Sequence, residues 1–191
     1  MNAHEKAAPL RASVRERMVS AKPKMDSRLL ETIYNQHYDS VYNYICFRIN
    51  NHFDAEELVS DTFENAIRRY HTYKPELAPI QAWLIGIAKN VVTDHFRAKK
   101  RKTFVPLDEA IVSLDLQPEE VIVFSETNKT LIRAMSLLKD TERQILSMKF
   151  ATDLKNYEIA EIMGISDTNV STIISRAVKK LKKIMEREER S

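Results

Sequence analysis

The chain is poor in the residues that punctuate β-structure: it has two glycines and six prolines in 191 residues, with 30% charged side chains. So few glycines leave little material for hairpin turns, and the charge content favours amphipathic helices. There is one cysteine, Cys46, which excludes an internal disulfide and a thiolate metal site and, lying in an apolar helical run, reads as core. The histidines, His4, His37, His52, His71 and His95, show no paired metal-ligand spacing. No apolar run approaches the roughly 18 residues of a membrane span and the N-terminus has no apolar export core, so a cytoplasmic protein is expected. A net charge of +3 is too small to argue for a polyanionic partner by itself. The positive residues collect instead at Lys99 to Lys102 and at Lys179 to Lys183.

The most informative stretch runs from Asn156 to Ile173, NYEIAEIMGISDTNVSTI. Gly164 stands where a helix-turn-helix needs a residue that tolerates positive φ. Before it, Ile159, Ala160 and Met163 share one helical face; after it, Ile165, Val170 and Ile173 supply matching apolar positions. Asn156 and Ser166 are suited to cap the two helices. Asp167 and the polar residues Thr168, Asn169, Ser171, Thr172, Ser175 and Arg176 then fall on the outer face of the second helix, able with Ser166 to meet base edges and phosphates in a major groove. An ordinary αα-hairpin with a polar surface would need the small residue, the glycine and the apolar positions to coincide by accident.

Along the rest of the chain, residues 1–27 are basic, weakly periodic and broken by Pro9 and Pro23, as in a flexible arm. Met18 and Met25 precede the first periodic segment, which leaves translation free to start at Met1, Met18 or Met25. From Arg28, Leu30, Ile33, Tyr34, Tyr38, Val41, Tyr42 and Ile45 recur at the spacing of a helix buried along one side. A second helix should begin near Asp54, capped by it with Glu57 three residues on, and carry Leu58, Val59, Thr62, Phe63, Ala66, Ile67 and Tyr70 inward. Its outer side is acidic, with Glu56, Glu57, Asp61 and Glu64. After the loop His71 to Ala78, Pro79 opens a helix to about Lys100 that turns Ile80, Trp83, Leu84, Ile87, Val91 and His95 one way and Lys89, Asn90, Asp94 and Arg97 the other. Trp83, the only tryptophan, reads first as a core anchor. A cationic helix beside a loop bearing His71, Tyr73 and Lys74 also offers what unpaired DNA requires, aromatic planes and positive charge. Residues 103–117 lose helical period and read as a linker; a helix resumes at Pro118 through Val121, Phe124, Leu131, Met135 and Leu138, and Thr141 with Gln144 suggests the cap of a shorter one. The expected fold is therefore all-α, two small helical domains (28–102 and 118–191) joined by a flexible linker, the second holding the helix-turn-helix.

Taken together the motifs resemble a bacterial RNA polymerase sigma factor of the extracytoplasmic-function group of the sigma-70 family, over about residues 28 to 187. DAEELVSDTF (Asp54 to Phe63) is similar to that family's polymerase-clamp motif, and AWLIGIAKN (Ala82 to Asn90) followed by Asp94, Arg97 and Arg101 to its melting helix. LLKDTERQIL (Leu137 to Leu146), YEIAEIMGIS (Tyr157 to Ser166) and SRAVKKL (Ser175 to Leu181) resemble the domain that reads the upstream promoter element. The resemblance implies polymerase contact by Asp54, Glu57, Leu58, Asp61 and Phe63. It implies capture of the opened downstream element by His71, Tyr73, Lys74, Lys89, Asn90, Arg97 and Arg101, and duplex readout by Ser166, Thr168, Asn169, Ser171, Thr172, Ser175 and Arg176. RNA polymerase core and promoter DNA are the implied partners, with room for an anti-sigma factor; no catalytic residue, cofactor or metal is implied. The chain departs from the family pattern at Ser171 and Ile173, where a Lys and an Arg are common, and in lacking a proline before the helix that follows Lys139-Asp140.

Two other readings compete. A stand-alone repressor or activator would account for Asn156 to Arg176 and leave Asp54 to Arg101 without a task. A nucleic-acid-processing enzyme would need a nucleophile elbow, a phosphate loop or a metal-ligand set, none of which the sequence displays.

Overall fold

The computed structural model describes residues 27–49, 51–102 and 126–188, which form seven α-helices and no strand. They are α1 (Ser27–Ile49), α2 (His52–Arg69), α3 (Ile80–Lys102), α4 (Glu126–Ser136), α5 (Asp140–Ala151), α6 (Asn156–Met163) and α7 (Asp167–Glu188). The two domains are all-helical as expected. Ser27, read as the last residue of the arm, already belongs to α1. The rest of the arm, the linker at 103–117 and the helix start at Pro118 with Val121 and Phe124 lie outside the described residues.

α1 is the spine. Its sequence pattern predicts burial along one side, yet Tyr44, Cys46, Arg48 and Ile49 are buried together with Ile33, Tyr34, Val41 and Ile45. The reason is that α1 lies between two sets of neighbours, α2 and α3 from its own half and α4 and α5 from the other. One apolar cluster accordingly runs through both halves, from Tyr34, Phe63 and Leu84 to Ile145, Met148, Ile159 and Val170. A smaller cluster, Ala134, Met135, Leu138, Leu146, Ala177 and Leu181, ties α4 to α5 and α7, with Phe47 of α1 packed against it. On α2 the inward stripe is as the periodicity predicts: Leu58, Val59, Thr62, Phe63, Ala66 and Ile67 are buried, and the Thr62 hydroxyl is satisfied by donating to the Leu58 carbonyl at 2.7 Å.

The helix starts differ from the sequence expectation in a consistent way. α2 is capped by Asn51, whose side-chain oxygen accepts from the Asp54 N–H at 3.1 Å, and not by Asp54. Asn51 is extended and one turn earlier, the geometry that lets a short side chain reach an unpaired first-turn N–H. At α5 Glu142 reaches back to the Lys139 N–H at 3.0 Å, and at α6 Glu158 reaches back to the Lys155 N–H at 2.7 Å, so neither Thr141 nor Asn156 is the cap. A Glu in the third helical position does this with any residue at the cap, which removes the need for a Ser, Thr or Asn there.

Candidate nucleic-acid interface

The helix-turn-helix is built as its sequence predicts. Gly164 ends α6 with φ 67° and ψ 36°, its N–H donating to the Glu161 carbonyl at 3.3 Å and that of Ile165 to Ala160 at 3.1 Å, a left-handed stop that a side chain would strain. Ser166 caps α7, accepting from the Asn169 N–H at 3.2 Å. Ile159, Ala160 and Val170 are buried, while Met163, Ile165 and Ile173 pack at the edge of the core. Of the residues assigned to duplex readout, Thr168, Asn169, Ser171, Ser175 and Arg176 are exposed on α7. Thr172 is half-buried and donates to the Thr168 carbonyl at 2.9 Å, and the Ser166 oxygen is occupied by its cap. Asn156, expected as the cap of α6, is instead its first residue, and its Nδ2 donates to Ser171 Oγ of α7 at 3.0 Å.

A second surface lies on α3 and the loop before it. Tyr70, Tyr73 and Trp83 form an aromatic group, Tyr73 and Trp83 with ring centroids 5.2 Å apart and Tyr70 edge-on to Trp83 at 6.3 Å. Trp83, expected in the core, is only half-buried. The loop before α3 carries the exposed residues His71, Lys74 and Leu77. Trp83, Asn90 and Arg97 are spaced seven apart, so they share a stripe of α3, which Asp94 and Arg101 continue. That spacing was the signal in the sequence for joining Trp83, and with it Tyr70, to the basic helix. Asn90, Arg97 and Arg101 are exposed; Arg97 is paired with Asp94 at 3.2 Å and Arg101 donates to the Arg97 carbonyl at 3.4 Å. Lys89 is the exception: its ammonium donates to the Ile162 carbonyl of α6 at 2.9 Å, across the two halves.

The third surface is the acidic side of α2. Glu57 is exposed and Asp54 and Asp61 are partly so, whereas Leu58 and Phe63 are buried and hold that face from beneath without offering surface. Asp54 Oδ2 lies 3.7 Å from His95 Nε2 of α3. Among the described residues no three His, Cys, Asp or Glu side chains gather where they could hold a metal ion.

Comparison with known proteins bears on these surfaces together. Residues 33–102 match the family model for sigma-70 region 2, and residues 128–181 that for sigma-70 region 4. The RNA polymerase sigma factor YlaC of Bacillus subtilis is 31% identical over 160 residues, covering 82% of this chain and 91% of that protein. The chain belongs to the extracytoplasmic-function group of the sigma-70 family. A second relative, the ECF RNA polymerase sigma factor BldN of Streptomyces coelicolor, is 31% identical over 155 residues; the match covers 80% of this chain and spans 59% of that protein's length. The solved sigma factor RpoE of Bartonella quintana, in complex with the anti-sigma factor NepR, shares the fold at a TM-score of 0.66 and 18% identity, over 82% of this chain and 96% of that one. The sigma factor described here thus carries its region 2 on α1, α2 and α3, and its region 4 on α4 to α7. A stand-alone repressor is not favoured, because region 2 accounts for the half that such a protein would leave idle.

Proposed function

We propose that this sigma factor is a non-catalytic specificity subunit that binds RNA polymerase core in the cytoplasm and directs it to promoters with three separate surfaces. The acidic side of α2, with Asp54, Glu57 and Asp61, docks on the polymerase. The exposed side of α7, with Thr168, Asn169, Ser171, Ser175 and Arg176, reads the upstream element as duplex. The aromatic group at Tyr70, Tyr73 and Trp83, with Asn90, Arg97 and Arg101 along α3, captures the unpaired strand of the downstream element. Melting needs no acid, base or nucleophile, only a surface that binds the opened strand better than the closed duplex. No helix among the described residues is long and apolar enough to cross a membrane. An anti-sigma factor as a further partner follows from family likeness, since the solved RpoE relative is held by one.

The observation that carries the reading is the joining of a half-buried aromatic group, Tyr70, Tyr73 and Trp83, to the polar and basic stripe that Trp83 shares with Asn90 and Arg97 on α3. Stacking planes beside positive charge suit single strands, whereas short polar groups on a helix suit a major groove. The test uses one promoter closed and the same promoter pre-opened over its downstream element. Asn169→Ala and Arg176→Ala should impair upstream recognition on both. Asn90→Ala and Arg97→Ala should slow opening of the closed promoter by roughly tenfold to a hundredfold, one lost hydrogen bond being about 1–3 kcal/mol, and weaken binding to the pre-opened one far less. Equal loss of closed-duplex binding by all four, with opening kinetics unchanged, would make α3 another duplex-binding surface.

A further inference from the structure

Among the described residues a single side-chain hydrogen bond links α6 to α7. Asn156, the first residue of α6, is half-buried and donates from Nδ2 to Ser171 Oγ at 3.0 Å. Its other amide atom, Oδ1, is buried and has no hydrogen-bond partner. The opposite orientation of the amide would bury two N–H donors there in place of one acceptor and leave more unsatisfied. Asn156 is therefore held with its N–H toward Ser171.

Ser171 takes part with its oxygen and not with its proton. A serine hydroxyl has one O–H and two lone pairs, and on a helix it commonly gives the O–H to the carbonyl four residues back. Thr172 follows that habit, donating to the Thr168 carbonyl at 2.9 Å, and Ser166 uses its oxygen to cap the Asn169 N–H. Ser171 does neither: it is exposed, and the bond from Asn156 is the one it has among the described residues. An oxygen that receives an N–H cannot return its own proton to that nitrogen, so the O–H is left for a partner outside the protein. Accepting one bond also polarises the hydroxyl and strengthens it as a donor. The chain departs from the family pattern at Ser171, so a contact made there by a longer cationic side chain does not carry over.

We propose that Asn156 is a positioning residue that sets the hydrogen-bond polarity of Ser171, so that Ser171 reads one position of the upstream element as a donor and selects a base with an acceptor on its major-groove edge. The proposal rests on the assignment of α7 to duplex readout given above. Guanine offers N7 and O6 on that edge, adenine N7 and thymine O4; cytosine offers only its N4 amino donor and is disfavoured. A serine that nothing holds pairs with donors and acceptors alike and would discriminate little. Asn156 thus acts on sequence choice from the first helix of the motif, through the orientation of one hydroxyl on the second.

The experiment uses the full chain with RNA polymerase core and a pool of promoters, pre-opened over the downstream element and randomised over about one helical turn (roughly 10 base pairs) of the upstream one; the bound promoters are sequenced. The unsubstituted chain should disfavour cytosine at one position by roughly twofold to tenfold, the worth of one neutral hydrogen bond. Ser171→Ala should erase that discrimination and leave the other positions as they were, and Asn156→Ala should reduce it. The variant Asn156→Ala with Ser171→Ala should match Ser171→Ala there, since the two residues act through one hydroxyl. Asn156→Asp reverses the polarity: its carboxylate accepts the Ser171 O–H, the serine then offers a lone pair, and the preference should turn toward the amino groups of cytosine and adenine. A carboxylate in the first turn of α6 suits the positive end of the helix, so this variant should keep its helical content in circular dichroism. A merely structural Asn156 would lower affinity for all promoters alike and leave the base profile unmoved. That uniform loss, a preference in Asn156→Asp that stays with acceptor bases, or a Ser171→Ala profile equal to the unsubstituted one each overturns the proposal. If Asn169→Ala and Arg176→Ala leave the profile unaltered as well, the assignment of α7 to duplex readout fails with it; if they shift the profile, that assignment stands and only the role given to Asn156 and Ser171 is wrong.

Discussion

Gly164 gives the cleanest quantitative check on the region 4 fold. A Cβ at this position would meet no heavy atom within 4 Å, so Gly164→Ala asks only the backbone to bear the change at φ +67°. Holding a non-glycine residue in the left-handed region costs about 1–2 kcal/mol. Alanine also stiffens the unfolded chain, which returns about 0.4–1 kcal/mol. The net loss should be about 1 kcal/mol, and Gly164→Asn should lose less, because asparagine tolerates this conformation. Thermal unfolding followed by circular dichroism measures it, and the size of the shift carries a second answer. If the two halves unfold as one unit through their shared core, the midpoint should fall by about 2–4 °C; if region 4 unfolds alone, as a unit of about 60–100 residues, it should fall by about 4–8 °C while a second transition stays put. No loss of stability, or a greater loss with asparagine than with alanine, would refute the argument from backbone conformation.

On α2, Leu58→Ala should lower stability by about 2–5 kcal/mol in urea titrations, since the side chain is buried in the main core. Glu57→Lys combined with Asp61→Lys should instead reduce capture of RNA polymerase core in a pull-down at retained helical content, and intact capture would place the docking face elsewhere. Asn51→Ala should cost about 0.5–2 kcal/mol as the loss of a cap, with Asp54→Ala leaving that cap in place. Burial pushes the Glu142 carboxyl up, but the Lys180 ammonium at 2.9 Å and the Lys139 N–H at 3.0 Å outweigh it and hold the group below its ordinary value. A lowered folded-state value means stability present above the ordinary value of about 4.5 and lost as pH falls through the folded one, so Glu142→Gln should flatten that part of the acid limb in pH-dependent unfolding.

The parts of this structure that the sequence exposes are those decided within one turn of helix. Gly164 at the end of α6, Ser166 at the start of α7 and the inward stripe of α2 each follow from periodicity and local backbone preference. Caps were misassigned wherever a glutamate side chain reaches back, at Glu142 and Glu158, because the pattern of hydrogen bonding then depends on a rotamer and not on the residue at the cap. Lys89 was placed with the polar face of α3, and it is polar, but its partner Ile162 lies 73 residues away on α6. Arg48 gave no signal at all: an arginine on an apolar helix face has no local explanation, and its partner Asp140 is 92 residues off. Trp83 shows the intermediate case. A large aromatic on an apolar stripe reads as core, and only its spacing to Asn90 and Arg97 indicates an edge position.

The side chains through which α1 meets region 4 are mixed in character. Ile33, Val41 and Ile45 belong to the main core. Tyr44 belongs to it too, and beside it α1 offers Phe47 and Arg48 toward α4 and α5, where α5 answers with Gln144, Arg143 and Asp140. Tyrosine and arginine carry a large apolar body with a polar end that water accepts, so a face made of them loses less on exposure than one made of leucine and isoleucine. Interfaces that form and part are built this way, while the interior of a permanent domain is not. The apolar residues from α5 and α6 that join the core, Ile145, Met148 and Ile159, act in the other direction and favour closure. Asp140, exposed at the rim yet bonded to the buried Arg48, is where this contact meets solvent, and its loss would leave that arginine buried without its carboxylate.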